Sequence, residues 1–136
     1  MDCIFCKIIN GEIPAEKVYE DDNVIAILDV NPRSTGHTMI IPKDHYSNLL
    51  ELPDDKVGFV FRAGKKVAGM IKKAFNPKGF TMGLNHGKIS GQEVDHLHFH
   101  IIPRFEGDCG SSIHSVVNNA PKESLEVIAE KIRDVK

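Results

Sequence analysis

The stretch Glu93-Val94-Asp95-His96-Leu97-His98-Phe99-His100-Ile101-Ile102-Pro103 decides how this chain is read. Polar and apolar residues alternate from His96 to Ile101, which is the period of a strand whose successive side chains point to opposite faces. The pattern predicts a strand over Glu93 to Ile102, stopped by Pro103, with His96, His98 and His100 projecting together and Leu97, Phe99 and Ile101 turned into a core. Neighbouring imidazoles cannot all be protonated cheaply, because like charges lower one another's pKa from an unperturbed value of about 6.5. Neutral imidazoles are nucleophiles and metal ligands. Histidine is uncommon enough in strands that three in register point to a site rather than to chance.

Two chemistries suit such a row. A catalytic zinc takes about three protein ligands and keeps an open position for water. Three alternate residues spread along about 13 Å of strand do not readily converge on one ion, which disfavours a single three-histidine metal. In the second chemistry one imidazole attacks an electrophile such as phosphorus and holds it covalently, while its neighbours neutralise phosphate oxygens and orient the ring. Neutral imidazole suits that role because no base must first remove a proton from it.

Outward from this strand, Phe80 to Leu84 reads as its hairpin partner, joined through Lys88-Ile89-Ser90-Gly91. Upstream, Val57, Val60, Phe61, Val67, Ala68, Ile71, Ala74 and Phe75 recur at the helical period, predicting a long helix from Asp54 to Phe75 closed by Asn76-Pro77. Lys17 to Glu20 and Val24 to Leu28 flank the polar turn Asp21-Asp22-Asn23 as a hairpin, and Thr38 to Ile41, ended by Pro42, is a third strand. Cys3 to Ile9, stopped by Asn10-Gly11, reads as a short helix. A second helical stripe, Leu125, Ile128, Ala129 and Ile132, follows a Pro121 suited to a first turn. The order βββ, α, ββ, α predicts an α+β fold: an antiparallel sheet of about five strands, covered by a long central helix and a C-terminal helix.

Composition limits the function. At 136 residues, with no repeat or linker, a single domain over 1–136 is expected. Seventeen Lys and Arg against nineteen Asp and Glu leave a formal charge of −2, so no basic field exists to hold a long nucleic acid or an anionic membrane. Apolar runs are too short to span a bilayer, and Met1-Asp2-Cys3 does not open a signal peptide, so a cytoplasmic protein is expected. Three cysteines, Cys3, Cys6 and Cys109, do not suit a secreted disulfide framework, and the CxxC spacing of Cys3 and Cys6 points to metal or redox chemistry. Cys109 and His114 sit in a Gly-rich segment that reads as a solvated loop.

The run His96 to Ile102 resembles the His-φ-His-φ-His-φ-φ motif of the histidine triad superfamily of nucleotide hydrolases and transferases, where φ is apolar. The resemblance extends through Cys3 to Ile9, Ile13-Pro14-Ala15, Tyr19-Glu20-Asp21, Ala26 to Asp29, Gly36-His37-Thr38, Ile41-Pro42-Lys43 and Asn85. It is most similar to the nucleoside phosphoramidase and nucleotide-binding branch, in the bacterial or archaeal form with an N-terminal CxxC.

The resemblance implies a hydrolase that cleaves the bond from the α-phosphorus of a purine nucleoside monophosphate, such as an AMP or GMP derivative, to a nitrogen or phosphate leaving group. His98 would be the nucleophile and form a nucleotidyl-histidine, which water then releases. His100 and His37 would contact phosphate, Asn85 a phosphate or leaving-group oxygen, and Asp29 both ribose hydroxyls. Ile4, Phe5, Ile8, Ile27 and Val30 would wall the base pocket. Gln92 would lie against substrate in the reaction loop. Glu93 stands where that branch usually has a Ser or Thr thought to protonate the leaving group, a role that Glu93 fills only if burial or nearby phosphate favours its protonated form. Asp95 replaces a residue that is usually aromatic or apolar.

Cys3 and Cys6 with His45 and His96 would form a structural Cys2His2 zinc site, the arrangement that family members with CxxC resemble, with His98 left free to react. A redox dithiol competes, although no strand precedes the CxxC as a thioredoxin-like context requires, and two reduced core cysteines are a third reading. The resemblance also implies a homodimer through the long helix and an adjoining strand. From another functional class, the alternative is a nucleotide-binding regulatory module with little turnover, in which Glu93 slows chemistry. A zinc hydrolase is the remaining rival, in which chelation would abolish catalysis and His98 would matter no more than its neighbours.

Overall fold

Strands Val24–Leu28 and Thr38–Pro42 are buried on both faces, and that fact organises the molecule. The computed structural model describes residues 2–136. In chain order it has α1 (Ile4–Ile9), β1 (Lys17–Glu20), β2 (Val24–Leu28), β3 (Thr38–Pro42), α2 (Asp54–Phe75), β4 (Gly79–Gly83), β5 (Phe99–Arg104) and α3 (Leu125–Arg133), with single 3-10 turns at Lys88–Ser90 and Ile113–Ser115. The strands form one antiparallel sheet in the order β1-β2-β3-β5-β4, as the α+β reading requires.

Alternate residues of the inner strands serve two different layers. Val24, Ala26, Ile40, Phe99 and Ile101 pack with Val60, Ala63, Val67 and Ile71 of α2. Ile25, Ile27, Met39 and Ile41 point the other way and pack with Cys3 and Phe5 at α1. Because Leu97 also joins the α2 layer, the histidines between Leu97, Phe99 and Ile101 are directed to the α1 side. Helix α2 is supported electrostatically by Asp54 and Asp55 in its first turn and Lys72 and Lys73 in its last, and Asn76 ends it in the left-handed conformation at φ 49°.

Several boundaries differ from expectation. The strand expected from Glu93 begins only at Phe99, so His96 and His98 lie in its irregular approach and His100 alone is within the ladder. The segment before Phe99 makes a different backbone bond: Leu97 N–H donates to Tyr46 O at 2.7 Å, which draws it toward the segment after β3. At the other end, Pro103 does not stop the strand. Its carbonyl accepts from Ser34 Oγ at 2.6 Å, and the β3 ladder has already ended at the Thr38–Ile101 pair, so its missing N–H faces an edge where no ladder bond is needed. Pro42 likewise remains inside β3, paired with Val24.

Strand β4 spans Gly79–Gly83 rather than Phe80 to Leu84. Pro121 lies outside α3, whose N-cap is Ser124, with Oγ accepting from Val127 N–H at 3.2 Å. The apolar stripe of α3 is not buried: Leu125 and Ile132 are 79% and 70% exposed and Ile128 and Ala129 are only half-buried, so α2 rather than α3 forms the helical layer on the sheet. No helix among the described residues is long and apolar enough to cross a membrane.

Gly36 positions the entry to β3. Its φ is +89°, and a Cβ there would sit 3.3 Å from Pro103 Cγ and 3.4 Å from Ile71 Cγ2, so only glycine fits the turn that delivers His37.

Candidate active site and metal centre

Three histidines that look equivalent in sequence enter three different environments. His96 is fully buried and reaches the short N-terminal helix. Its Nδ1 lies 3.4 Å from Cys3 Sγ and 3.6 Å from Cys6 Sγ, while His45 Nδ1 lies 3.4 Å from Cys6 Sγ. Ligand atoms of Cys3, Cys6, His45 and His96 all fall within 4.8 Å of one another. The other ring nitrogen of His96, Nε2, is 2.8 Å from Pro42 O. A carbonyl only accepts, so Nε2 carries the proton and Nδ1 presents its lone pair to the thiols, the orientation a metal ligand needs. Burial holds the His96 ring below its usual pKa and raises the Cys6 thiol, with the Cys3 thiol adding to the latter.

His98 occupies the middle. Its Nδ1 is 2.7 Å from His96 O, which by the same reasoning makes Nδ1 the donor and leaves the lone pair on Nε2. Phe5 meets its ring edge-on at a centroid distance of 5.1 Å, and the His100 ring is 5.0 Å away on the other side. The imidazole is thus held in one tautomer and one plane, with little exposed surface.

At the far end His100 joins a chain of donors. Arg33 N–H donates to His37 Nδ1 at 3.0 Å, so His37 Nε2 bears the proton and donates to His100 Nδ1 at 2.9 Å. His100 Nε2 therefore carries a proton and is a donor toward anything bound beside His98. Burial, reinforced by His98 and His37, pushes the His100 pKa down to about 4, and burial also lowers that of His37. Asp29 Oδ2 stands 3.5 Å from His37 Nε2 and 3.9 Å from His100 Nδ1, and its Oδ1 accepts from Asn31 N–H at 2.9 Å. Asp29, His37 and His100 are close enough to hold an ion. The two ring nitrogens already face each other as donor and acceptor, so this group is a hydrogen-bond relay.

The remaining expected residues divide. Phe5 and Ile27 are buried in the α1 layer and Ile8 packs on it. Ile4 is half exposed and Val30 is 87% exposed, so neither closes a pocket wall within this chain. Asn85 is exposed just past β4. Gln92 has both amide hydrogens engaged within the protein: Nε2 donates to Ser47 O at 2.7 Å and Val94 O at 3.1 Å, while Oε1 accepts from Gly87 N–H at 2.8 Å. Glu93 is exposed, so the burial attached to its acid role is absent. Cys109 and His114 are both exposed, as a solvated loop predicts.

Partners that sequence reasoning missed are mainly backbone groups. Arg33 N–H, Pro42 O and His96 O fix the three ring tautomers, and main-chain atoms carry no residue-type signal.

A HIT-domain family model matches residues 10–107. The chain belongs to the HIT domain family. Among the relatives of this HIT protein, an uncharacterised HIT-like protein of Methanocaldococcus jannaschii is 54% identical over 106 residues, covering 78% of this chain and 81% of the relative. An adenosine 5′-monophosphoramidase of Schizosaccharomyces pombe is 37% identical over 132 residues, covering 97% and 96%. Among solved structures, a Zn-bound histidine triad family protein from Mycobacterium smegmatis superposes with a TM-score of 0.77 at 38% identity, covering 82% of this chain and 81% of the other. The HIT match includes all three triad histidines but begins after Cys3 and Cys6.

Proposed function

We propose that this HIT protein is a nucleotide hydrolase that cleaves the bond between the α-phosphorus of a purine nucleoside monophosphate and a nitrogen or phosphate leaving group. The observation that carries the reading is the His98 ring, whose Nδ1 donates to His96 O and whose Nε2 is free to attack beside the Nε2–H donor of His100. The phosphoramidase activity named for the fission yeast relative agrees with it.

The His98 Nε2 lone pair attacks phosphorus, forming a P–N bond as the bond to the leaving group breaks. His100, neutral and donating through Nε2, supports the non-bridging oxygens, and His37 holds His100 in that tautomer. A leaving nitrogen takes a proton on the solvent side, where Glu93 stands exposed, and departs as the amine. Water then attacks phosphorus, the bond to His98 breaks, and the nucleoside monophosphate is released. Asp29 would receive the ribose hydroxyls, Asn85 a leaving-group oxygen, and Phe5, Ile8 and Ile27 the base, with Ile4 and Val30 at its outer edge.

Cys3, Cys6, His45 and His96 would hold zinc. Two thiolates and two imidazoles fill a tetrahedron and leave no position for catalytic water, so the ion would serve structure. A homodimer formed through α2 and an adjoining strand accords with the exposed Phe61, Met70 and Phe75 of that helix.

The test is hydrolysis of adenosine 5′-phosphoramidate by the wild type and His98→Ala, with and without chelator. Turnover is expected from the wild type only, with His98→Ala retaining nucleotide affinity within about tenfold because the lost interaction belongs mainly to the transition state. Nucleotide binding without wild-type turnover would overturn the hydrolase reading in favour of a binding module.

A further inference from the structure

The segment after β3 and the loop before the triad are stitched together at three points. His45 supplies a candidate metal ligand, with its ring 4.7 Å from that of His96. One residue on, Tyr46 O accepts from Leu97 N–H at 2.7 Å, and one further, Ser47 O accepts from Gln92 Nε2 at 2.7 Å. Residues 45–47 therefore run against residues 92–97, and each of the three makes one contact. Gln92 is the only one of these links made by a side chain reaching back into the reaction loop. Its Oε1 closes the loop on Gly87 N–H, while its Nε2 also holds Val94 O.

The loop needs such a tie. Gly87 has φ +85° and ψ 160°, a conformation open only to glycine, and Lys88–Ser90 form one 3-10 turn with no buried residue. Ser90 N–H and Gln92 N–H both return to Gly87 O, at 3.1 and 3.2 Å, so the loop is internally closed; its outside anchors are Val94, packed on the α1 layer at its end, and the Gln92 amide, the one that reaches Ser47. Asn85 and Glu93, on either side of it, are both exposed. His96 supplies a second connection, since its ring faces the thiols while its carbonyl sets the tautomer of His98.

We propose that Gln92 is a positioning residue that ties the reaction loop Gly87–Val94 to the segment bearing His45, so that filling the Cys3, Cys6, His45 and His96 site orders the loop that meets the leaving group. The proposal rests on the hydrolase reading above for its kinetic arm only. Both amide hydrogens are bonded within the protein and the oxygen can only accept, so Gln92 has no donor left for an anionic phosphate, which separates this role from direct contact. Metal at His45 restrains Ser47, Ser47 O restrains the Gln92 amide, and the amide restrains Gly87.

The test compares wild type, Gln92→Leu and Gln92→Glu, each stripped of metal and each loaded with Co2+. Hydrogen exchange of the loop amides is the first readout, the Co2+ absorption spectrum the second, and kcat and KM for adenosine 5′-phosphoramidate the third. Loading should slow exchange at residues 87–92 in the wild type by about tenfold, the effect of one or two stabilised hydrogen bonds. Gln92→Leu should keep the Co2+ spectrum, lose the metal-dependent protection, and lower kcat by about tenfold with KM changed less than twofold. Gln92→Glu retains an acceptor for Gly87 N–H but no donor for Ser47 O, so it should protect the loop equally with and without metal. It also serves if the leucine variant fails to fold.

Metal-dependent protection that survives in both variants would overturn the proposal. A raised KM with unchanged kcat and unchanged protection would also overturn it and restore Gln92 as a substrate contact. If the wild type binds Co2+ and orders its loop but turns over nothing, the hydrolase reading fails while the coupling stands.

Discussion

The two outer histidines of the triad stand four positions apart in the chain and face opposite surroundings. His96 is enclosed among two thiols and a second imidazole, with its spare proton given to Pro42 O. His100 faces a polar relay of His37, Arg33 N–H and Asp29, with a proton directed outward. Identical side chains entered a cysteine–histidine cluster and a polar relay because α1 covers one end of the row and the turn before β3 covers the other. The lesson is that the role of each imidazole follows from which of its nitrogens the backbone engages. His98 between them is held by the main chain of one outer histidine and by ring contact with the other.

Breaking the buried end should cost most. His96→Ala removes a fully buried ring, a hydrogen bond to Pro42 and a candidate ligand, so it should destabilise the fold by about 3 kcal/mol or more and abolish Co2+ binding, measured by denaturant unfolding and absorption titration. Breaking the polar end should spare the fold. His100→Ala should lower kcat roughly 10²–10³-fold, the usual effect of removing one preorganised donor, while Co2+ binding stays intact in the same titration.

Acid should load both ends, and His100→Ala should isolate the share of the polar one. The His100 pKa is depressed to about 4, so the folded protein binds fewer protons than the unfolded chain between about pH 6.5 and pH 4. Stability is therefore fully present above the unfolded pKa and falls as pH drops through that window. His37 and His96, lowered in the same direction, add to the slope. Urea unfolding at stepped pH should show this slope in the wild type and a reduced one in His100→Ala. The smallest effect is expected at the exposed C-terminal helix, where Ile132→Ser should change stability by less than about 0.5 kcal/mol in the same assay.

Much of this arrangement was legible in the sequence. Alternation correctly assigned Leu97, Phe99 and Ile101 to the core and the histidines to the other side, because the pleat imposes a period of two even where ladder pairing has not begun. Helix α2 was legible from its apolar period and from Asn76 at its end. The start of β5 was not, because Leu97 N–H bonds to Tyr46 O across fifty residues instead of continuing the ladder. Pro103 was misread as a stop because its role depends on which edge lacks a partner. In α3 the periodicity predicted the helix, but a stripe of apolar residues does not say what lies opposite it. Cys3, Cys6, His45 and His96 do lie together, as the CxxC spacing and the family resemblance led one to expect, whereas the Gln92 tie to Ser47 depends on backbone atoms that no side-chain pattern marks.

The most direct test of the central claim is acid-quenched mass spectrometry of the wild type and His98→Ala during turnover of adenosine 5′-phosphoramidate. The account predicts an adenylyl adduct on His98 in the wild type and none anywhere in the variant. Hydrolysis with no adduct in the wild type, or turnover that persists in His98→Ala, would contradict it.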